Sequence, residues 1–227
     1  PSRGLSLRRV SLSLARLPRP RTSDVRHVPL RWVEDAAHYD VIVDALTRAR
    51  VSLWIATANL KDMRLEAPLG SVARARRRYV SIAERFAELR GRGVELRVLH
   101  GGAPSRPFRD SLAQRPQLSP AQDWLRQCPR VHLKLIAVDG SELYLGSANL
   151  TGAGMGAKGA GRRNFEVGVC TTDHVMLDAA QRRFDGIWTG QECGSCRVRA
   201  SCPRPLDTSA EPPRPRARVR AGAARRR

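Results

Sequence analysis

The stretch Val131-His-Leu-Lys-Leu-Ile-Ala-Val-Asp-Gly-Ser-Glu-Leu-Tyr-Leu-Gly-Ser-Ala-Asn149 decides how this chain is read. Residues 131–138 and 142–146 are rich in branched and aliphatic side chains. Asp139-Gly140 between them is a strong short signal for a two-residue hairpin, because both residue types accept positive φ. Alternation with period two puts His132 and Lys134 on one face of the first strand, while Val131, Leu133 and Leu135 face a core. Ser147 and Asn149 share a face at the exit of the second strand, where the small Gly146 leaves room for a ligand. An imidazole, an ammonium, a hydroxyl and an amide thus converge at one place, a set suited to a phosphate.

Helical and strand patterns alternate around this hairpin. Val41, Ile42, Ala45, Leu46 and Ala49 recur at helical spacing over 38–50, and a β-type run follows at 51–56. Residues 74–90 again carry helical spacing, and Gly91 and Gly93 stop that helix before a strand at 94–99. The Gly, Pro and Ser content of 101–120 predicts a loop, followed by a short helix at 121–127. A Gly-rich loop at 152–161 leads to a strand at 164–170, and a helix is expected over 173–188. Such alternation predicts an α/β fold, a mixed β-sheet sandwiched by helices. Trp54-Ile-Ala-Thr-Ala-Asn59-Leu60 echoes Tyr144-Leu-Gly-Ser-Ala-Asn149-Leu150, either by duplication or by a shared strand-to-loop pattern, and no His-x-Lys precedes the first copy.

The 227 residues suffice for one well-buried domain, and the formal charge of +20 favours a polyanionic partner, nucleic acid or an acidic membrane surface. That charge is unevenly placed. Residues 1–29 carry seven Arg against Asp24, and 203–227 carry eight Arg against Asp207 and Glu211, leaving the centre only moderately basic. Lysine occurs only at Lys61, Lys134 and Lys158. The termini are expected to be a disordered basic extension (1–29, whose Arg/Ser/Leu composition also fits a transit peptide) and a disordered Pro/Arg tail (204–227). The catalytic domain is expected over 30–190. No run approaches the roughly 20 apolar residues of a membrane-spanning helix.

His132, Lys134, Asp139, Gly146, Ser147 and Asn149 match without a gap the signature of the phospholipase D superfamily, His-x-Lys, four residues, Asp, six residues, Gly-Ser-x-Asn. Asn164-Phe-Glu166 resembles the acidic element that this superfamily places after its Gly-rich loop. The resemblance implies a phospholipase D-like fold and a phosphodiesterase. His132 would attack phosphorus and become a phosphohistidine, and imidazole, with an ordinary pKa of about 6.5, is a competent nucleophile near neutrality. Lys134, Ser147 and Asn149 would bind the phosphate oxygens. Glu166 would orient His132 through its other ring nitrogen, although an ion pair with Arg162 or Arg163 is the plainer alternative. Asp139 is either part of the catalytic set or a turn former. His100 is left between lining a groove and ending a strand.

The reaction needs a second histidine to protonate the leaving oxygen, and the chain carries one signature. The resemblance therefore implies a twofold homodimer, with no cofactor for catalysis. Nucleic acid is the expected substrate, hence a nuclease, and membrane lipid is the alternative, for a phospholipase or phosphatidyltransferase.

Cys193-x2-Cys196-x5-Cys202-Pro203, within a cluster at 191–203, is a separate signal. Three close thiols suggest a structural zinc ion or iron–sulfur cluster with Cys128 or Cys170 as a fourth ligand, and the spacing resembles a cysteine triad of some iron–sulfur nucleases. Three unligated thiols are the alternative. Clustered thiols favour a reducing, cytoplasmic location.

Overall fold

A computed structural model describes residues 25–208, so residues 1–24 of the expected disordered extension (1–29) and 209–227 of the expected tail (204–227) lie outside the described residues, while Pro29, expected within that extension, accepts a hydrogen bond from Thr171 Oγ1 at 2.8 Å. The chain runs β1 (Arg31–Glu34), α1 (His38–Arg48), β2 (Ser52–Thr57), β3 (Arg64–Glu66), α2 (Val72–Ala75), β4 (Tyr79–Ser81), α3 (Ile82–Gly91) and β5 (Glu95–His100). It continues through α4 (Arg106–Ala113), β6 (Leu125–Gln127), β7 (Leu135–Val138), β8 (Glu142–Gly146), β9 (Val167–Thr171) and α5 (His174–Trp188).

Seven strands form one mixed sheet in the order β1-β9-β8-β7-β2-β5-β6. The β2–β5 and β5–β6 pairs are parallel and the others antiparallel. Alternating side chains serve opposite faces. Leu53 and Ile55 of β2, Ile136 and Val138 of β7 and Tyr144 of β8 pack with α1, α3 and α4 in one core. Ala56, Leu135, Ala137 and Leu143 pack with Leu177, Phe184 and Trp188 of α5 in the other. The expected α/β sandwich is thus observed, with apolar layers on both faces of the sheet.

Local chemistry moves several boundaries. The single helix expected over 74–90 is broken into α2, β4 and α3, because Arg77 takes a left-handed φ of 51° and the Ser81 hydroxyl restarts the helix by accepting the Ala83 N–H. The expected loop at 101–120 contains α4, started by Ser105 as N-cap and a proline in its first turn, where the missing N–H costs nothing. In place of a helix at 121–127 there is a 3-10 turn, Ala121–Asp123, and then the edge strand β6. The first strand of the hairpin starts later than expected: 131–134 is irregular and β7 begins at Leu135. Within the expected tail, Leu206 is instead buried against the α5 layer.

Candidate active site

The carboxyl ends of β2, β5 and β8 and the amino ends of β7 and β9 meet at one edge of the sheet, the position where open α/β sheets bind ligands. His132 is exposed and Lys134 half-buried in the irregular segment before β7. Lys134 Nζ lies 3.0 Å from Nδ1 and 3.3 Å from Nε2 of His132, and it donates to the His132 carbonyl at 3.0 Å. Burial lowers the Lys134 ammonium from its ordinary pKa, and the nearby charge of Glu166 acts in the opposite direction.

The hairpin brings the second half of the set alongside, with the Gly146 N–H donating to the Lys134 carbonyl at 3.2 Å. Ser147 Oγ donates to Glu166 Oε2 in a short bond and accepts the Val167 N–H at 3.1 Å. Asn149 Oδ1 accepts the Asn59 N–H at 3.0 Å. Only an oxygen can accept there, so the amide orientation is settled and the Nδ2 group is left to donate outward.

Glu166 is buried at 8% exposure, with Asn164 Nδ2 donating to its Oε1 at 2.9 Å. Both carboxylate oxygens are therefore engaged, and among the described residues neither bonds to His132 nor to Arg162 or Arg163. Glu166 orients Ser147, not the imidazole. Its backbone is gripped by Asp35, whose Oδ1 accepts the Glu166 N–H at 3.0 Å and whose own N–H donates to the Glu166 carbonyl at 2.9 Å.

Asp139 is not brought to this site. It sits at the opposite end of the hairpin, where positive φ at Asp139 (51°) and Gly140 (63°) makes the two-residue turn. Its carboxylate accepts N–H bonds from Arg50 at 3.0 Å and from Val51 and Ser52 at 2.8 Å. Burial raises its pKa, but those bonds outweigh it and hold the carboxyl below the usual range. The turn reading of Asp139 therefore stands, with an added role of anchoring the start of β2.

Other expectations are sharpened. Gly146 is required by packing: a Cβ there would meet the Tyr144 hydroxyl at 2.1 Å and the Val167 carbonyl at 2.8 Å, so it makes room for Tyr144 and not for a ligand. His100 is buried at 4% exposure, its Nδ1 is 2.9 Å from the Gly102 carbonyl, and burial lowers its pKa. It closes β5 and does not line a groove. The echoed segments meet in space, through a parallel bridge between Leu60 and Leu150 and a Leu150 N–H donated to Thr57 Oγ1 at 2.9 Å. Sequence reasoning did not single out Asp35, Thr57 and Asn59 as support for the site; the echo was the available signal for the last two.

A cavity of about 710 Å³ lies away from this constellation, among β1, α1 and β8, lined by Arg31, Asp44, Arg48, Glu142 and Cys170. None of the predicted site residues lines it; at the site itself His132 and Ser147 are exposed, and Lys134 and Asn149 are half-buried. Among the described residues no helix is long and apolar enough to cross a membrane.

Residues 42–188, well over half of the chain, match the family described as cardiolipin synthase, PLD-like domain. With the sheet order and the His132 constellation, this match identifies the chain as a member of the phospholipase D-like family. Among solved structures it is similar to Nuc, a phospholipase D family member from Salmonella typhimurium, at 15% identity and a TM-score of 0.51, over 72% of this chain and 95% of Nuc. NucT from Helicobacter pylori aligns at 14% identity and a TM-score of 0.46, over 69% of this chain and 94% of NucT. Phosphatidylserine synthase from Haemophilus influenzae aligns at 14% identity and a TM-score of 0.47, over 70% of this chain and 38% of that protein. These likenesses are ones of fold. No curated protein sequence matches the chain.

Proposed function

We propose that the chain is a metal-independent phosphodiesterase of nucleic acids that works as a twofold homodimer. The observation that carries this reading is the convergence of His132, Lys134, Ser147 and Asn149, with His132 and Ser147 exposed and a single signature per chain. An exposed half-site suits a cleft completed by a second copy. His132 attacks phosphorus, a P–N bond forms and the P–O bond to the leaving group breaks. The leaving oxygen takes a proton from His132 of the partner subunit, which then removes a proton from the water that releases His132. Lys134 and the Asn149 amide hold the non-bridging oxygens as charge builds on them.

Apolar side chains beside the site support self-association. Phe165 is 97% exposed next to Glu166, and Trp32 (63%) and Val167 (49%) share a face of the β1–β9 pair. Exposed apolar side chains on one face of a strand pair suit an interaction surface.

Nucleic acid is favoured over lipid by two features. Arg64, Arg76, Arg77 and Arg78 are exposed around Tyr79, 58% exposed, on the small β3–β4 sheet. Met63, which precedes that sheet, has its Cβ 3.6 Å from where a Gly152 Cβ would be, beside Lys158. Cations interleaved with an exposed aromatic suit a phosphate backbone and a stacked base. The segment 101–120 offers a bilayer little, since Phe108 and Leu118 point into the core. Single-stranded DNA, double-stranded DNA, RNA and phosphatidylcholine, assayed side by side with EDTA present, test the reading. Cleavage of a nucleic acid that His132→Ala abolishes is expected, and turnover of the lipid alone would overturn it.

A further inference from the structure

Cys128, Cys193, Cys196 and Cys202 come from two regions of the chain and line one small cavity between the end of β6 and the segment after α5. Cys170 is elsewhere, on β9 beside Arg31. We propose that these four cysteines form a tetrathiolate site for a soft metal centre, a zinc ion or an iron–sulfur cluster, and that this centre pins the chain leading into His132.

Three observations carry the proposal. The first is convergence: Cys128, left open in the sequence as one of two fourth ligands, is the one that meets the carboxy-terminal triad. The thiols are free, and among the described residues no group of three His, Cys, Asp or Glu side chains is already set around a metal position. Ligation therefore needs the thiols to turn into the cavity, a movement of side chains. Four coordinating thiols become thiolates and release their protons to solvent.

The second is the segment itself. Residues 191–205 run as consecutive tight turns, with Cys193 donating to the Gly190 carbonyl, Cys196 to Cys193, Arg199 to Cys196 and Cys202 to Arg199. Its one large aliphatic side chain, Val198, is 41% exposed. With little apolar interior of its own and only ion pairs such as Arg183–Glu192 and Arg199–Asp207 to tie it, the segment is one that thiolate–metal bonds would staple strongly. Gly190 is built for this fold-back: at φ 75° it lets the chain return so closely that a Cβ would stand 2.3 Å from the Asp207 nitrogen.

The third is the electrostatic setting. Arg130 lines a neighbouring cavity together with Cys128, Cys193 and Cys196, a cation placed to neutralise part of the charge of a tetrathiolate centre.

The position gives the centre a role in catalysis without contact with substrate. The Cys128 N–H donates to the His100 carbonyl at 2.9 Å and its carbonyl accepts the Val131 N–H at 2.8 Å, one residue before His132. A Cβ on Gly101 would lie 2.4 Å from the Val131 carbonyl, so the same segment is packed tightly from its other side. The centre would tie this segment to α5 and position the nucleophile.

Full-length protein, purified without chelator and assayed with no substrate, gives the test. About one zinc, or about four irons with equivalent acid-labile sulfide and visible charge-transfer absorption, is expected per chain. Cys128→Ser and Cys196→Ser should each lose most of the metal, and Cys170→Ser should keep it. In case a variant fails to fold, alkylation of the wild type followed by peptide mass spectrometry should show all four cysteines protected until the metal is stripped. Wild-type protein without metal, equal loss on Cys170→Ser, or alkylation of the four thiols that ignores metal removal would overturn the proposal. Because metal content is read without turnover, failure here is distinct from failure of the phosphodiesterase reading.

Discussion

The ammonium of Lys134 rests against the imidazole of His132, 3.0 Å from Nδ1, and is tethered by a 3.0 Å bond to the carbonyl of the same residue. On the proposed mechanism, one compact charge would serve the nucleophile and the phosphate together. Lys134→Ala should lower kcat about 10²- to 10³-fold, as removal of a preorganised transition-state donor does. Lys134→Arg should restore little, because a planar fork does not replace a point charge at this spacing. The working form is the protonated amine, so activity is kept at lower pH and lost as pH rises through its pKa. Burial has lowered that pKa, which places the alkaline limb of the rate profile below that of an ordinary lysine. Glu166 holds the pKa up, so Glu166→Gln should move the limb to lower pH. A limb that moves upward or stays in place contradicts the assignment.

Asp139 should matter for stability and not for chemistry. Asp139→Asn keeps a residue that tolerates positive φ but weakens three N–H bonds, and should cost about 1–3 kcal/mol in denaturant unfolding. Asp139→Ala also places a side chain disfavoured at φ 51° in the turn and should cost more. The folded pKa is depressed, so the stabilisation is present above the unfolded value and is lost as pH falls through the folded one. kcat of the folded variant should be unchanged; a loss of a hundredfold or more would return Asp139 to the catalytic set.

How much of this could be read from the sequence depended on distance along the chain. The run from His132 to Asn149 was legible because a hairpin brings neighbours in sequence together with a fixed alternation. The break at Arg77 was not, since a left-handed arginine has no signature in helical periodicity. The N-cap at Ser105 was a local signal outweighed by the Gly, Pro and Ser content around it. Beyond its neighbour Asn164, Glu166 is held by Ser147, 19 residues away, and Asp35, 131 residues away, a tertiary pairing that no spacing encodes. That Cys128, and not Cys170, lies with the carboxy-terminal triad is of the same kind.

The arginine arm should bind backbone and not reacting phosphate. Replacing Arg76, Arg77 and Arg78 together with alanine should weaken binding of a long nucleic acid and flatten its salt dependence by about two to three units of log–log slope. Turnover of a short chromogenic phosphodiester should be unaffected. An unchanged salt slope would exclude the arm from the interface.

Trp32→Glu combined with Val167→Glu should convert the dimer to a folded monomer by light scattering, with activity falling as dimer is lost. A fully active monomer, in this variant or in the wild type, would remove the shared-cleft mechanism.

The proposed mechanism requires the imidazole of His132 to be bonded to phosphorus during turnover. Quenching the working enzyme in the steady state, digesting it under conditions that preserve phosphoramidates and mapping the adduct by mass spectrometry measures this directly. Substrate-derived phosphate is expected on His132 in the wild type and none in His132→Ala. A catalytically competent preparation whose His132 stays unmodified, with water attacking phosphorus in a single step, would contradict it.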